Sequence, residues 1–258
     1  GVDYLGEHAP DWKLPFQGKP PRELYKEQYP VQSTSYAFNE ATRHFFVNDQ
    51  QNPYQTDKPF HWVRADVVGG RSLLWGRQTY RWSQQDFEAN KKEGIAVDWP
   101  IRYEDIDPWY DHVEKFAGIA GNRDGLPQLP DGQFQPGFEL TCAEKEFKSR
   151  VEAAFPGRKV IQARVAHITA VTEEQRALGR SNCQSRNRCH FGCTFKAYFS
   201  SLNATLPAAE RTGNYTIVHN AIVQSLQYDE VSRRITGVQV IDAETRETRF
   251  YSCRVLFL

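Results

Sequence analysis

The stretch Val67-Val68-Gly69-Gly70-Arg71-Ser72-Leu73-Leu74-Trp75-Gly76-Arg77 constrains this chain more than any other. Two adjacent glycines let the backbone approach a partner that a Cβ would hold away. A hydroxyl, an apolar pair, an indole and a third glycine follow at once. That composition suits a turn lying flat against a large, mostly apolar ring system with a polar edge. A plain glycine turn between a strand and a surface loop uses the same residues, with Trp75 a core indole and Arg71 a solvated charge.

The 258 residues suffice for one large domain or two small ones. Lys plus Arg and Asp plus Glu are each 32, so no net field gathers nucleic acid or an anionic membrane. Aromatics make up 13% and include six Trp, which predicts a core rich in rings. With mean hydropathy −0.66 and no apolar run near the length of a membrane span, the chain reads as soluble. Both ends read as cut: there is no Met and no signal peptide at Gly1. At the other end, Arg254-Val255-Leu256-Phe257-Leu258 has the character of a buried strand, whereas termini normally lie exposed. The expectation is a fragment of a longer protein.

Four regions follow along the chain. Residues 1–60 are rich in Pro, Tyr and Gln, and Pro20-Pro21, Tyr29-Pro30, Asn52-Pro53 and Lys58-Pro59 divide them into extended pieces and turns. This irregular excursion is expected to pack on a neighbouring surface through Phe38, Phe45, Phe46 and Trp62. Residues 61–120 hold the glycine stretch, a short helix capped by Ser83 and a longer one. The longer helix is expected to start at Asp107 as N-cap with Pro108 at its first position. Ile106, Trp109, Tyr110, Val113, Phe116 and Ala117 would form its apolar face, and Gly118 or Gly121 its end.

Residues 121–210 open as a Pro/Gly loop. Thr141 to Glu144 is a capping-box pattern for a helix stopped by Pro156-Gly157, and Val160 to Thr172 reads as strand. Residues 211–258 are β-rich, with runs Tyr215–Val218, Ile222–Tyr228, Ile235–Ala243 and Thr248–Leu258. The short runs suggest an antiparallel meander, and the last one a buried parallel strand. The fold class is α+β, part of an α/β FAD-binding fold by the resemblance described below.

Cys183, Cys189, His190 and Cys193 cluster within eleven residues, among Arg180, Arg186 and Arg188. The spacing is not the Cys-x2-Cys of a zinc ribbon. Closely spaced thiolates also hold iron–sulfur clusters. Plain structural thiols or a disulfide use the same residues, and all these readings stay open. With Cys142 and Cys253 the count is five, which leaves one odd thiol.

Several of these segments, in this order, resemble the glucose–methanol–choline (GMC) oxidoreductases. The glycine stretch is similar to that family's flavin-covering loop. The run from Asp98-Trp99-Pro100 to Pro108-Trp109-Tyr110 is similar to the segment after it in sugar- and alditol-oxidising members. The run Phe195 to Ala209 resembles the family's helix leading back into the flavin domain. Trp75, where other members have Asn, resembles the pyranose oxidase branch. The cysteine segment resembles that of sugar and gluconate dehydrogenase large subunits, some of which carry a cluster there. It departs from them at Gln184, where they have a further Cys, and at Thr194, where they have Pro.

The resemblance implies an FAD-dependent enzyme that oxidises a CH–OH group of a sugar, glycoside or alditol by hydride transfer to flavin. It implies flavin contacts at Gly69, Gly70, Arg71, Ser72, Leu74, Trp75 and Gly76, and an adenine contact at Val223 through its backbone. Leu74 stands where one branch has a His bonded to flavin, so FAD would be non-covalent. No Gly-x-Gly-x-x-Gly follows a strand, and the family's catalytic His would lie beyond residue 258. No catalytic or metal residue is therefore expected within this chain. A small-molecule substrate is the expected partner, with a redox partner or second copy also possible for such a protein. The contrasting reading is a non-catalytic carbohydrate-binding or interaction domain with exposed aromatics.

Overall fold

A computed structural model describes residues 7–13 and 22–257. Pro20, Pro21 and Leu258, which figure in the expectations above, lie outside them. The chain divides into two compact units, 1–208 and 209–258.

The first unit contains helices α1 (Arg22–Tyr25), α2 (Gln84–Glu93), α3 (Tyr103–Ala117), α4 (Cys142–Ala154) and α5 (Glu173–Ala177). It also holds a two-residue parallel pairing of β1 (Ala120–Gly121) with β2 (Gln135–Pro136). α2 begins at Ser83, whose backbone N–H donates to Asp86 at 2.7 Å, and α4 begins at Thr141, whose hydroxyl accepts from Glu144. Both caps are local side-chain chemistry, which makes these helices readable in advance. Helix α6 (Leu206–Glu210) continues a five-residue π-helical turn, Ser201–Thr205, that Ser200 caps.

The irregular N-terminal region gains its order from rings. Tyr25, Phe38, Phe45 and Phe46 are buried and form one cluster with Ala37, Leu73, Leu74 and Tyr198. Phe38 meets Tyr25 and Phe46 edge-on, with centroids 5.4 and 5.1 Å apart. Trp62 is not an anchor of this core: it is half-exposed and packs edge-on against Tyr54.

Helix α3 corrects the expectation twice. It starts a turn before Asp107, at Arg102, whose N–H is capped by the Asp105 carboxylate at 2.8 Å, so Pro108 lies inside it. Its inward face is polar: Tyr103, Asp107, Asp111 and Glu114 converge on the buried Arg81, while Trp109 is 66% and Val113 53% exposed. A buried guanidinium needs carboxylates, and their spacing sets which face turns inward.

Residues 160–172 are not a regular strand. Val165 makes isolated bridges to Gln78 and Ala120, and His167 bridges Tyr198. The backbone there serves three neighbours one residue at a time.

The second unit is an antiparallel meander of β3 (Ala221–Asp229), β4 (Arg234–Asp242) and β5 (Thr248–Ser252), in that order. Ile222 pairs with Ile241 and Val238 with Tyr251, with a register shift between Val223 and Ser225. The α+β class with an antiparallel sheet is thus as expected. Residues 215–218 are not strand, and the run from Arg254 does not continue the sheet, with Val255 and Phe257 exposed.

Candidate cofactor site

The glycine stretch folds as a 3-10 turn, Gly70–Leu73, entered through Gly69 at φ +97°. Gly70 follows at φ +49°, so both glycines occupy the left-handed region that a side chain disfavours. Backbone bonds close the turn: Gly70 N–H to Val67 O (2.8 Å), Ser72 N–H to Gly69 O (3.1 Å) and Leu74 N–H to Arg71 O (3.0 Å).

Most of the side chains that follow turn into the protein. Leu73 and Leu74 are only 2% and 5% exposed, within the aromatic core. Ser72 donates to Gly69 O at 2.6 Å and accepts from Ser201 N–H at 2.9 Å, joining the turn to the π-helical segment. Trp75 donates its indole N–H to Phe199 O at 3.2 Å and packs on Ala117, Ile119 and Ala166. Tyr36 fixes the Leu74 carbonyl at 2.9 Å.

What remains outward is backbone. A Cβ added at Gly70 would meet nothing within 4 Å, whereas one at Gly69 would meet Leu73 and Leu202 at 3.1–3.3 Å. Gly76 is exposed, and exposed Arg71 is steadied by the Val63 carbonyl at 2.8 Å. The structure therefore brings together the candidates from Gly69 to Gly76 but divides them. Gly70, Arg71 and Gly76 form an open ledge; Gly69, Ser72, Leu74 and Trp75 hold the ledge from behind. Val223 lies in the second unit, on β3, half-exposed and paired with Val240 beside the register shift.

Arginines do much of the positioning, and sequence reasoning missed their part. Arg77 sits at φ +60°, donates to Leu73 O at 3.0 Å and lies 3.9 Å over the Tyr198 ring, locking the exit of the turn. Arg81 donates to Glu114 at 2.7 and 2.6 Å, to Asp107 at 2.6 Å, and to Asp111 and Tyr103. Burial works against its charge, but the bonds to Glu114, Asp111 and Tyr103 prevail and raise its pKa above the ordinary value. Arg180 is buried among the main-chain carbonyls of Ala117, Lys196 and Ala197, and burial pulls its pKa down to about 10. Burial, with the Arg77 charge beside it, pushes the pKa of His167 down to about 4. The only advance signal for these roles was the density of arginine among apolar residues.

The cysteine segment is a loop with a 3-10 turn at Cys189–Phe191, and all five cysteines are free thiols. Among the described residues, no three of His, Cys, Asp and Glu are placed to hold one metal ion. The thiols as arranged do not fit a metal or a cluster.

No helix among the described residues is long and apolar enough to cross a membrane. The family model described as GMC oxidoreductase matches residues 46–256. The fructose dehydrogenase large subunit of Gluconobacter japonicus is 24% identical over 188 residues, 70% of this chain and 32% of that protein. The 2-methyl-1,2-propanediol dehydrogenase of Mycolicibacterium austroafricanum is 35% identical over 66 residues, covering 25% of this chain and 12% of its own length. Paromamine 6'-oxidase of Streptomyces fradiae is 27% identical over 73 residues, 27% of this chain and 13% of that protein. The chain thus spans at most 32% of the length of these relatives. With the glycine turn, helix α3, the cysteine loop and the meander all inside the matched span, the chain belongs to the GMC oxidoreductase family.

Proposed function

We propose that this chain is the flavin-covering and substrate-side part of an FAD-dependent oxidoreductase acting on CH–OH groups of a sugar, glycoside or polyol. One observation carries the reading: within the family's matched span, a Cβ-free backbone ledge at Gly70 and Gly76 is held rigid from behind. A flat ring system needs such a surface, and Gly70 leaves its approach open. Fructose and a propanediol, named in two relatives, both carry oxidisable alcohol carbons, which supports the substrate class.

Bound FAD would supply the two-electron acceptor for a hydride. The chain's own residues would orient it and exclude water. Gly70 and Gly76 would present main chain to the ring, and Arg71 would set a cation at its edge. Ser72 and Trp75 would fix the ledge through Ser201 and Phe199. Leu74, enclosed in the core, has no nucleophilic atom, so the cofactor would be held non-covalently. In the second unit, Val223 would offer backbone to the adenine. The general base that takes the hydroxyl proton would come from residues outside this chain, so the chain alone would not turn over substrate.

Gly157 supplies the control, because it too has positive φ (+84°) and nothing within 4 Å of an added Cβ. In the full-length protein, Gly70→Val should weaken FAD binding by about tenfold or more (~1.4 kcal/mol), while Gly157→Val leaves it unchanged. Equal affinities for the two variants would overturn the reading.

A further inference from the structure

A cavity of about 370 Å³ lies in the first unit beside the cysteine loop, and Cys183, Cys189 and Cys193 all line it. Its volume is that of a small-molecule site. Phe138, Val165 and Phe195 give it apolar walls, and no Asp or Glu lines it. Arg186 does line it: its guanidinium lies 5.6 Å over the Phe195 ring and is steadied by the Thr194 hydroxyl. The buried Arg180 adds a second positive charge near Cys193. Positive charge and accessible sulfur in one cleft favour an anionic, sulfur-reactive ligand.

The three thiols are not equivalent. Burial raises the pKa of Cys189, against the opposing charge of Arg77, and so keeps it a thiol. Cys183 is partly exposed, and its Sγ accepts the backbone N–H of Ser185 at 3.4 Å. That amide is aimed at the sulfur by the left-handed backbone of Ser185 (φ +51°) and Asn187 (φ +53°), a local turn that gathers N–H groups. A donated hydrogen bond favours the thiolate, the nucleophilic form.

We propose that Cys183 is a thiol-exchange site for a low-molecular-weight disulfide bearing carboxylates, whose retained half occupies the cavity against Arg186. The Cys183 thiolate attacks one sulfur of the disulfide, and a new S–S bond forms as the old one breaks. The other half leaves as a thiolate that takes up a proton, while the Cys183 proton goes to solvent. One disulfide replaces another, so the step needs no further oxidant or reductant.

The test treats the full-length protein with oxidised glutathione (anionic), hydroxyethyl disulfide (neutral) and cystamine (cationic), and locates adducts by peptide mass mapping. Exposed Cys142 serves as the internal comparison. Oxidised glutathione should modify Cys183 about tenfold faster than Cys142 and about tenfold faster than cystamine modifies Cys183, as a cationic cleft requires. Arg186→Gln should remove most of the preference for the anionic probe. Equal rates at Cys142 and Cys183, or equal rates for anionic and cationic probes, would overturn the proposal without using any variant and irrespective of whether FAD binds.

Discussion

The glycine turn at 67–77 and the cysteine loop at 183–193 are both irregular and both bend through left-handed residues, yet they use that freedom in opposite ways. The first buries its side chains and presents bare backbone: Leu73 and Leu74 enter the core, while Ser72 and Trp75 bond to Ser201 and Phe199. The second keeps its side chains at a cavity wall, with three thiols and Arg186 lining open space. A surface for a flat ring calls for rigidity without side chains. A site for exchange chemistry calls for a reachable nucleophile, so the same irregularity supports different work.

The contrast makes stability predictions for the full-length protein. Leu74→Ala should cost about 2–5 kcal/mol in urea unfolding, because it leaves a void in a ring-lined core. A loss below about 1 kcal/mol would mean the turn is not anchored as described.

Next comes pH. His167, on the wall shared by both regions, has a pKa of about 4 folded against an ordinary 6.5. Between these values the unfolded chain binds the extra proton. Its contribution to stability is therefore complete above pH 6.5 and is lost as pH falls toward 4, by up to ~3 kcal/mol. His167→Gln should flatten that part of the stability–pH curve, and an unchanged curve would place the loss on other groups.

Ser72→Ala should cost roughly 1–2 kcal/mol, since Gly69 O and Ser201 N–H both lose a partner. Cys183→Ser, by contrast, should change stability by no more than about 0.5 kcal/mol, because this wall is open. A large loss there would erase the contrast.

What the sequence disclosed follows the range of the forces involved. Helices α2 and α4 were legible because Ser83 and Thr141 cap within three residues of themselves. The meander was legible from its short β-rich runs. Helix α3 was misread because its apolar spacing pointed one way while Arg81, more than twenty residues earlier, drew Asp107, Asp111 and Glu114 inward. Residues 160–172 have strand character but contact three separate neighbours, so no ladder forms. At the candidate site, the glycines announced a close approach. That Leu74 would face the core, and that Ser201 and Phe199 would brace the turn from well over a hundred residues away, is tertiary information that no local pattern carries.

The central claim is that the ledge receives a non-covalent flavin, and the visible absorption spectrum of the full-length protein before and after acid precipitation tests it directly. The account predicts a two-banded flavin spectrum whose colour passes into the supernatant. A colourless protein that also fails to take up added FAD would contradict it.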